Sequence, residues 1–137
     1  FIPTTVVAPP DTSICSPGNM VNFNASGALY YNWGPGKLNG NNYYVDSSQT
    51  FIVTGMNYYF CTATDSFSVN VMPGPLVQLP NDTVVCKNSN LFIPGVGPSN
   101  LLWSTGATSS SITLFVNQNY TVMLTGTDSA GCVNVIQ

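Results

Sequence analysis

The sequence carries very little charge. It contains no glutamate, arginine or histidine, and its only cationic side chains are Lys37 and Lys87. Two lysines cannot neutralise a row of phosphates, so we expect no nucleic-acid partner and no binding to an anionic membrane surface. Five scattered aspartates, without histidine or glutamate, supply neither a nucleophile–base triad nor a carboxylate pair. We therefore expect no catalytic residues and no enzyme activity.

Long apolar runs and helical patterns are also missing. No stretch approaches the roughly 18 apolar residues of a membrane-spanning helix, so we expect no membrane insertion. Instead, apolar and polar residues alternate, for example from Met20 to Ala25 and from Ser66 to Val71. Turn signals such as Asn39-Gly40 separate these short segments. This pattern predicts an all-β protein made of antiparallel β-sandwiches.

One frame of residues occurs twice in the chain. Both of its cysteine pairs are 46 positions apart, and the second frame begins 71 residues after the first. Residues 50–55 also match residues 121–126 without a gap. Such self-similarity predicts two copies of one module, residues 1–72 and 73–137, joined by a short, stiff Pro-Gly segment. The two frames are Cys15…Trp33…Cys61 and Cys86…Trp103…Cys132.

The alternation places strands at similar positions in both modules. In the first module we predict an entering edge strand over 1–10, then strands at 20–25, 29–33, 43–45, 50–55 and 61–71. In the second module we predict strands at 76–86, 91–93, 101–104, 111–116 and 120–125.

The closing strand of the second module is short. Only five residues follow Cys132, about half of the strand that follows Cys61. We therefore expect this strand to be truncated, unless a neighbouring chain or later sequence completes it. We also expect the chain to be a piece of a longer array.

The four cysteines form two matched pairs. They predict two disulfides, Cys15–Cys61 and Cys86–Cys132, one in each module, and hence an oxidising compartment. Each bond would tie the first strand of its module to the start of the last strand. Closing a loop of about 45 residues would contribute on the order of 3–4 kcal/mol. The alternatives are four free buried thiols or, less favoured, a zinc site, which would lack both Cys-x-x-Cys spacing and histidine.

The aromatic residues give the best indication of binding. Paired tyrosines on a strand put one ring inward and one outward. An exposed strip of such rings would stack on sugar rings or pack against a neighbouring subunit, although scattered surface tyrosines remain the alternative. We expect Trp33 and Trp103 to lie in the two cores instead. The candidate contact residues are Tyr30, Tyr43, Tyr44, Tyr58 and Tyr59.

Two further kinds of site deserve a test. Calcium is the one metal candidate, with Asp65 and Asp82 near the joint between modules and Asp11 near the preceding joint. No acidic residues cluster, so we favour aspartates that cap turns and expect no cofactor. Acceptor sequences for N-glycosylation begin at Asn24, Asn81 and Asn119, a pattern that also arises by chance in a chain rich in Asn, Ser and Thr.

Four motifs of the second module occur in an order typical of a known repeat. They are Asp82-Thr83-Val84-Val85-Cys86, Leu102-Trp103-Ser104-Thr105-Gly106-Ala107-Thr108, Tyr120-Thr121-Val122 and Asp128-Ser129-Ala130-Gly131-Cys132. Together they resemble the immunoglobulin-like (PKD-like) repeats of very large secreted surface proteins of Bacteroidota. Such proteins include gliding-motility adhesins and others exported by the type IX pathway. The first module departs from the pattern, because Gly34-Pro35-Gly36 follows Trp33 and Tyr59-Phe60 precedes Cys61.

The resemblance implies a role at the cell surface. It implies an extracellular, non-catalytic stalk or filament repeat whose partners are neighbouring repeats and identical chains. It also implies O-glycosylation at Thr83 and Ser129. The alternative function is a glycan-binding module that uses the tyrosine strip to hold a glycan or cell-surface ligand.

Overall fold

The computed structural model describes residues 3–137, so the expected edge strand over residues 1–10 is tested only from Pro3 onward. The chain divides into two compact units, Phe1–Met72 and Pro73–Gln137. The described residues form only β-strands and no helix, so none of them belongs to a helix that could cross a membrane.

Unit 1 contains β1 (Thr12–Cys15), β2 (Asn19–Phe23), β3 (Tyr30–Asn32), β4 (Asn41–Val45), β5 (Gln49–Met56) and β6 (Thr62–Met72). Unit 2 contains β7 (Ser89–Pro94), β8 (Asn100–Trp103), β9 (Ser111–Val116), β10 (Leu124–Thr127) and β11 (Val133–Ile136).

Unit 1 packs two sheets around one aromatic core. One sheet has the order β1-β6-β5-β3, and the other pairs β2 with β4. Strand β6 is antiparallel to β5 along the whole length of β5 and parallel to β1 at its own C-terminal end. Its inward residues Phe67 and Val69 are buried against the β2–β4 sheet. Phe23 meets the rings of Trp33 and Phe67 edge to face, at centroid distances of 5.1 and 5.3 Å, as expected for packed aromatic residues.

Unit 2 repeats this plan with a smaller core. One sheet has the order β11-β10-β8, and the other pairs β7 with β9. As expected, Trp103 is buried like Trp33. Both indoles donate a hydrogen bond to the residue six positions later, to the Asn39 side chain at 2.9 Å and to the Ser109 carbonyl oxygen at 2.7 Å. The buried hydrophobic residues of unit 2 include Val77, Leu101, Trp103, Ile112 and Leu124.

A capped turn before the last strand is built in the same way in both units. The Asn57 side chain accepts hydrogen bonds from the amides of Tyr59 and Cys61 at 2.9 and 3.0 Å. Asp128, 71 residues later, accepts from the amides of Ala130 and Cys132 at 3.0 and 2.9 Å. Each turn also contains one residue with positive φ, Phe60 in unit 1 and Gly131 in unit 2. The repeat therefore extends to backbone conformation.

A glycine on a central strand lets the entering segment approach each sheet. A Cβ atom on Gly55 would overlap the Val6 side chain, and one on Gly126 would lie 2.6 Å from the Val77 side chain. Val6 and Val77 are themselves 71 positions apart. Any larger residue at these glycines would push the entering segment away from the sheet.

Most predicted strands are confirmed, with ends shifted by a few residues, but three are mostly absent. Of the segment over residues 1–10, Val7 makes one bridge to Ser26, and of the segment over 76–86, Gln78 makes one bridge to Val96. The segment over 120–125 becomes a strand only from Leu124. The segments over 76–86 and 120–125 fail for one shared reason, the absence of a strand between them among the described residues, which the next subsection describes.

The two disulfides predicted within the modules are not formed. Cys61 and Cys86 have free, exposed thiols, whereas Cys15 and Cys132 are each disulfide-bonded. The predicted pairs Cys15–Cys61 and Cys86–Cys132 were therefore wrong.

Strand register explains why Cys15 does not reach Cys61. Cys15 lies opposite Met72, the last residue of β6, whereas Cys61 directly precedes Thr62, the first residue of that strand. The 11 residues of β6, at about 3.3 Å each, separate the two cysteines by roughly 35 Å. A disulfide needs Cα atoms within about 7 Å. The bond that we expected at one pole would have to join opposite ends of the same strand.

The two cysteines of unit 2 are separated in the same way. Cys132 precedes β11, whose Asn134 side chain donates a hydrogen bond to the Pro75 carbonyl oxygen at 3.1 Å. Three residues later, Gln78 pairs with Val96, beyond the end of β7. Cys86 instead precedes the start of β7, and its carbonyl oxygen accepts a hydrogen bond from the Ser89 hydroxyl at 2.6 Å. The two cysteines therefore lie toward opposite ends of β7.

Candidate functional site: an open groove in unit 2

Unit 2 contains a groove of about 1000 Å³. One wall is the segment over residues 79–85, and the opposite wall is formed by residues 118–122. Residues 91–94 of β7 and Leu114 and Val116 of β9 form the floor, and Gln137 lies at one end. We call this feature the open groove.

Unit 1 fills the corresponding space with the C-terminal half of β6. There, residues 12–15 pair with residues 69–72, and residues 49–52 pair with residues 66–69. The matching residues of unit 2, 71 positions later, are 83–86 and 120–123, and none of them belongs to a strand. Gln137 is the counterpart of Ser66, so none of the described residues of unit 2 takes the positions of Phe67 and Val69. The open groove therefore lies at the position that the C-terminal half of β6 occupies in unit 1.

Apolar side chains of the floor are less covered than their counterparts in unit 1. In unit 1, Val21, Phe23 and Val45 of the β2–β4 sheet are buried beneath β6. In unit 2, Leu91 of β7 and Val116 of β9 are only half-buried. A strand that presented apolar residues to this floor would remove their remaining surface from water, at about 25 cal/mol per Å².

The walls also offer backbone hydrogen bonds. Residues 83–86 have no ladder partner, and the Val84 side chain is 98 % exposed. On the opposite wall, the Met123 amide donates a hydrogen bond to the Ser104 hydroxyl, and the Met123 carbonyl oxygen accepts one from the Ser104 amide. Residues 120–123 belong to no strand, so no strand is paired with them on the side that faces the groove. An edge with unpaired amides and carbonyls is a template for another strand. Asp82 is the one charged residue that lines the groove, so its recognition chemistry is apolar contact and backbone pairing.

The candidate tyrosines do not form one continuous strip. Tyr43 is half-buried against Phe23, with ring centroids 5.3 Å apart, and its hydroxyl accepts a hydrogen bond from the Leu38 amide. Tyr44 is exposed on β4, and Tyr30 is exposed on β3 of the other sheet.

Two tyrosines do lie together. Tyr58 and Tyr59 are exposed in the β5–β6 turn, with ring centroids 6.1 Å apart. Tyr30 lies opposite Met56, the last residue of β5 before this turn. The structure therefore brings Tyr30, Tyr58 and Tyr59 toward one end of the sheet.

Of the three aspartates weighed as calcium candidates, Asp65 and Asp11 have backbone partners. Asp65 accepts hydrogen bonds from the amides of Ala8 and Ser66, both at 2.8 Å. These bonds, chiefly the one from Ala8, hold the pKa of Asp65 below its ordinary value. Asp11 accepts from the Ser68 amide at 2.7 Å, and Asp82 lines the open groove. Across residues 3–137, no three histidine, cysteine or acidic residues lie close enough together to hold a metal.

The predicted modification sites are accessible. Asn24 follows β2, whereas the others lie in unit 2 outside the strands. Their modification stays a prediction. The exposed acceptors are Asn24, Asn81, Asn119, Thr83 and Ser129.

Sequence reasoning did not identify the open groove as a site. The signal was present, because the short segment after Cys132 predicted an incomplete closing strand. What the sequence did not reveal was which walls this strand would have joined.

Neither the protein-family models nor the curated proteins include a match to this chain.

Proposed function

We propose that this chain is a non-catalytic structural and adhesive repeat of a long extracellular surface protein or filament. In this proposal it acts as a stalk or fibre subunit, and its two units are immunoglobulin-like β-sandwiches of the PKD-like kind found in Bacteroidota. The disulfide-bonded state of Cys15 and Cys132 agrees with an oxidising, extracellular setting. The observation that carries the proposal is the open groove of unit 2, at the position that β6 fills in unit 1.

Strand order supports the immunoglobulin-like assignment. In unit 1, β2 pairs with β4, while β5 lies between β6 and β3. An immunoglobulin sandwich divides its strands between two sheets in a similar way, and it buries a tryptophan of its third strand in the core. Trp33 directly follows β3 and is buried in the core of unit 1.

The open groove gives the repeat a way to assemble. Its occupant would be an extended strand, from later residues of the chain or from another repeat, with the apolar alternation of residues 66–72. Such a strand would run parallel to residues 83–86 and antiparallel to residues 120–123, as β6 does beside β1 and β5. Strand addition of this kind gains affinity from main-chain hydrogen bonds and specificity from alternate side chains.

Peptide binding tests this function. A peptide with the sequence of residues 62–72 is titrated into the chain by calorimetry. The control peptide has Phe67, Val69 and Val71 replaced by serine, so it keeps the backbone but loses the apolar face. We expect one molecule of the first peptide to bind per chain and the control to bind at least tenfold more weakly. Equal binding of both peptides, or binding of neither, would contradict the proposal.

The Cys61→Ser/Cys86→Ser double variant is used for this titration. Both cysteines are exposed with free thiols, so their replacement leaves the two cores unchanged. The variant also prevents any disulfide between chains from altering the apparent stoichiometry.

Glycan binding is the second candidate function, and one observation favours it. Tyr58 and Tyr59 expose 78 % and 64 % of their surface in one turn, with Tyr30 toward the same end of the sheet. Exposed aromatic rings stack on the apolar faces of sugar rings. A glycan array, compared between the chain and a Tyr58→Ser/Tyr59→Ser variant, tests this function. Loss of specific signals in the variant would favour it, and an array without signals for the unsubstituted chain would reject it.

A further inference from the structure

We propose that Cys61 and Cys86 are the two halves of a disulfide between successive copies, in which Cys86 of one chain bonds Cys61 of the next. The inference rests on the proposed role as an assembling repeat and specifies a covalent link between its subunits. It concerns the two cysteines whose thiols are free and exposed in this chain.

The internal repeat supplies the first argument. Cys61 occupies in unit 1 the position that Cys132 occupies in unit 2, 71 residues later. Cys86 occupies in unit 2 the position of Cys15 in unit 1. Both of these counterparts are disulfide-bonded. Each free cysteine therefore stands at a repeat position where the other copy of the module carries a bond.

Geometry within each unit supplies the second argument. Cys61 and Cys15 lie at opposite ends of β6, roughly 35 Å apart at the rise of an extended strand. Cys86 and Cys132 lie toward opposite ends of β7. A module of this kind cannot close its own pair, so a bond at either position needs a cysteine from outside the module.

Exposed apolar residues lie close in sequence to both free thiols. Cys61 follows Tyr58, Tyr59 and Phe60, each exposed by more than 60 %. At the corresponding positions before the bonded Cys132, unit 2 has only Ser129, Ala130 and Gly131.

Cys86 has a smaller apolar neighbourhood, and the exposed Lys87 directly follows it. Cys86 follows Val84, which is 98 % exposed, and its own thiol is exposed. Apolar surface around both thiols would be covered when two copies meet, which favours contact before the bond forms.

The repeat also indicates which cysteines pair. Cys15 and Cys86 share one repeat position, and Cys61 and Cys132 share the other. The disulfide-bonded cysteines, Cys15 and Cys132, come from different positions. If a bond always joins the two different repeat positions, the link between copies joins Cys86 of one chain to Cys61 of another. It does not join Cys61 to Cys61 or Cys86 to Cys86. Such a contact is head-to-tail, so it leaves a free thiol at both ends and permits further addition.

The chemistry of the link needs a two-electron oxidant, which we take to be a small-molecule disulfide such as oxidised glutathione. The Cys61 thiolate attacks one sulfur of the oxidant, forming a mixed disulfide and releasing one thiol. The Cys86 thiolate of another chain then attacks the Cys61 sulfur and releases the second thiol. One S–S bond forms between the chains and one breaks in the oxidant, which takes up two electrons and two protons.

Single-cysteine variants test this pairing. Cys61→Ser and Cys86→Ser are incubated with oxidised and reduced glutathione, separately and mixed, and separated on non-reducing gels. We expect a ladder of multimers from the unsubstituted chain, monomers from each variant alone, and dimers from the mixture. Mass spectrometry of the dimer should give one cross-linked peptide that contains Cys61 and Cys86.

Several results would overturn the proposal. Dimers from either variant alone would mean that like cysteines pair. A bond between Cys61 and Cys86 of the same chain, or monomers throughout with only glutathione adducts, would remove the link between copies. Because the peptide titration uses the double variant, its result does not depend on this cross-link, and either proposal can fail alone.

Discussion

Cys15 lies opposite Met72 at the end of β6, one full strand away from Cys61. This relationship decides the cysteine chemistry of unit 1. A bond between the two cysteines would require β1 to leave its parallel pairing with β6. The thiol of Cys61 is therefore left available to other partners.

Differential alkylation checks the assignment of thiols. Iodoacetamide added to the native, unreduced chain should label Cys61 and Cys86, because both thiols are free and exposed. Cys15 and Cys132 should become labelled only after reduction and unfolding. Peptide mapping that found Cys61 bonded to Cys15 would contradict the register of β1.

Replacing Phe60 by glycine should stabilise unit 1. Phe60 has a φ of 64°, whereas its counterpart in unit 2 is already glycine, with a φ of 84°. Glycine removes the strain that a side chain suffers at positive φ, but it also raises the conformational entropy of the unfolded chain. We expect the first effect to be larger, so that the free energy of unfolding rises by roughly 0.5–1 kcal/mol. Chemical unfolding measures the change. The matched control, Gly131→Ala, should destabilise unit 2 by a similar amount, and a stabilising Gly131→Ala would contradict this account.

Alanine at Gly55 should destabilise unit 1 by about 1–3 kcal/mol, the usual effect of an inserted methyl group in a packed site. The added Cβ would meet both Val6 and Ala28. Gly74→Ala is the control, since a Cβ there would lie 3.5 Å from its nearest neighbour, an ordinary contact. Thermal melting of both variants tests the close approach. Equal melting temperatures for Gly55→Ala and the unsubstituted chain would show that the entering segment is not packed on β5.

Stability should depend on pH through Asp65. The pKa of this carboxyl group is lowered by the Ala8 and Ser66 amides, so its contribution is fully present above the ordinary value near 3.8. The contribution is lost as the pH falls through the lowered pKa of the folded state. We expect Asp65→Asn to melt at a lower temperature than the unsubstituted chain at pH 6, with the difference shrinking below pH 4. A difference that stayed constant from pH 6 to pH 2 would exclude this role for the carboxylate.

Local alternation predicted most strands of both units, because a half-buried strand reveals its inward face in sequence. This alternation predicted strands β2, β5 and β6, whose inward residues include Val21, Val53 and Phe67. The predicted strands over 76–86 and 120–125 failed for a physical reason. Their counterparts in unit 1 are held by the C-terminal half of β6, and the described residues of unit 2 include none at the matching positions. Alternation reports which side chains face the core but not whether a partner strand is present.

The disulfide prediction failed for a related reason. Equal spacing showed that Cys15 and Cys86 occupy the same place in the repeat, but it could not show where the partner cysteines lie. That depended on β1 running parallel to β6, a pairing between distant segments that no short pattern reveals. The open groove was likewise predicted only in part. The sequence indicated a short closing strand after Cys132, but not which segments would line the groove.

The most direct test of the account is hydrogen exchange at the walls of the open groove. The Cys61→Ser/Cys86→Ser chain is compared with the same chain extended after Gln137 by residues 67–72 of β6. If the groove is a strand site, amides over residues 83–86 and 120–123 should exchange at least tenfold more slowly in the extended chain, because they would be paired as those of β1 and β5 are. A matched extension with serine at the positions of Phe67, Val69 and Val71 should give little protection. Unchanged exchange at both walls with the apolar extension would contradict the central claim.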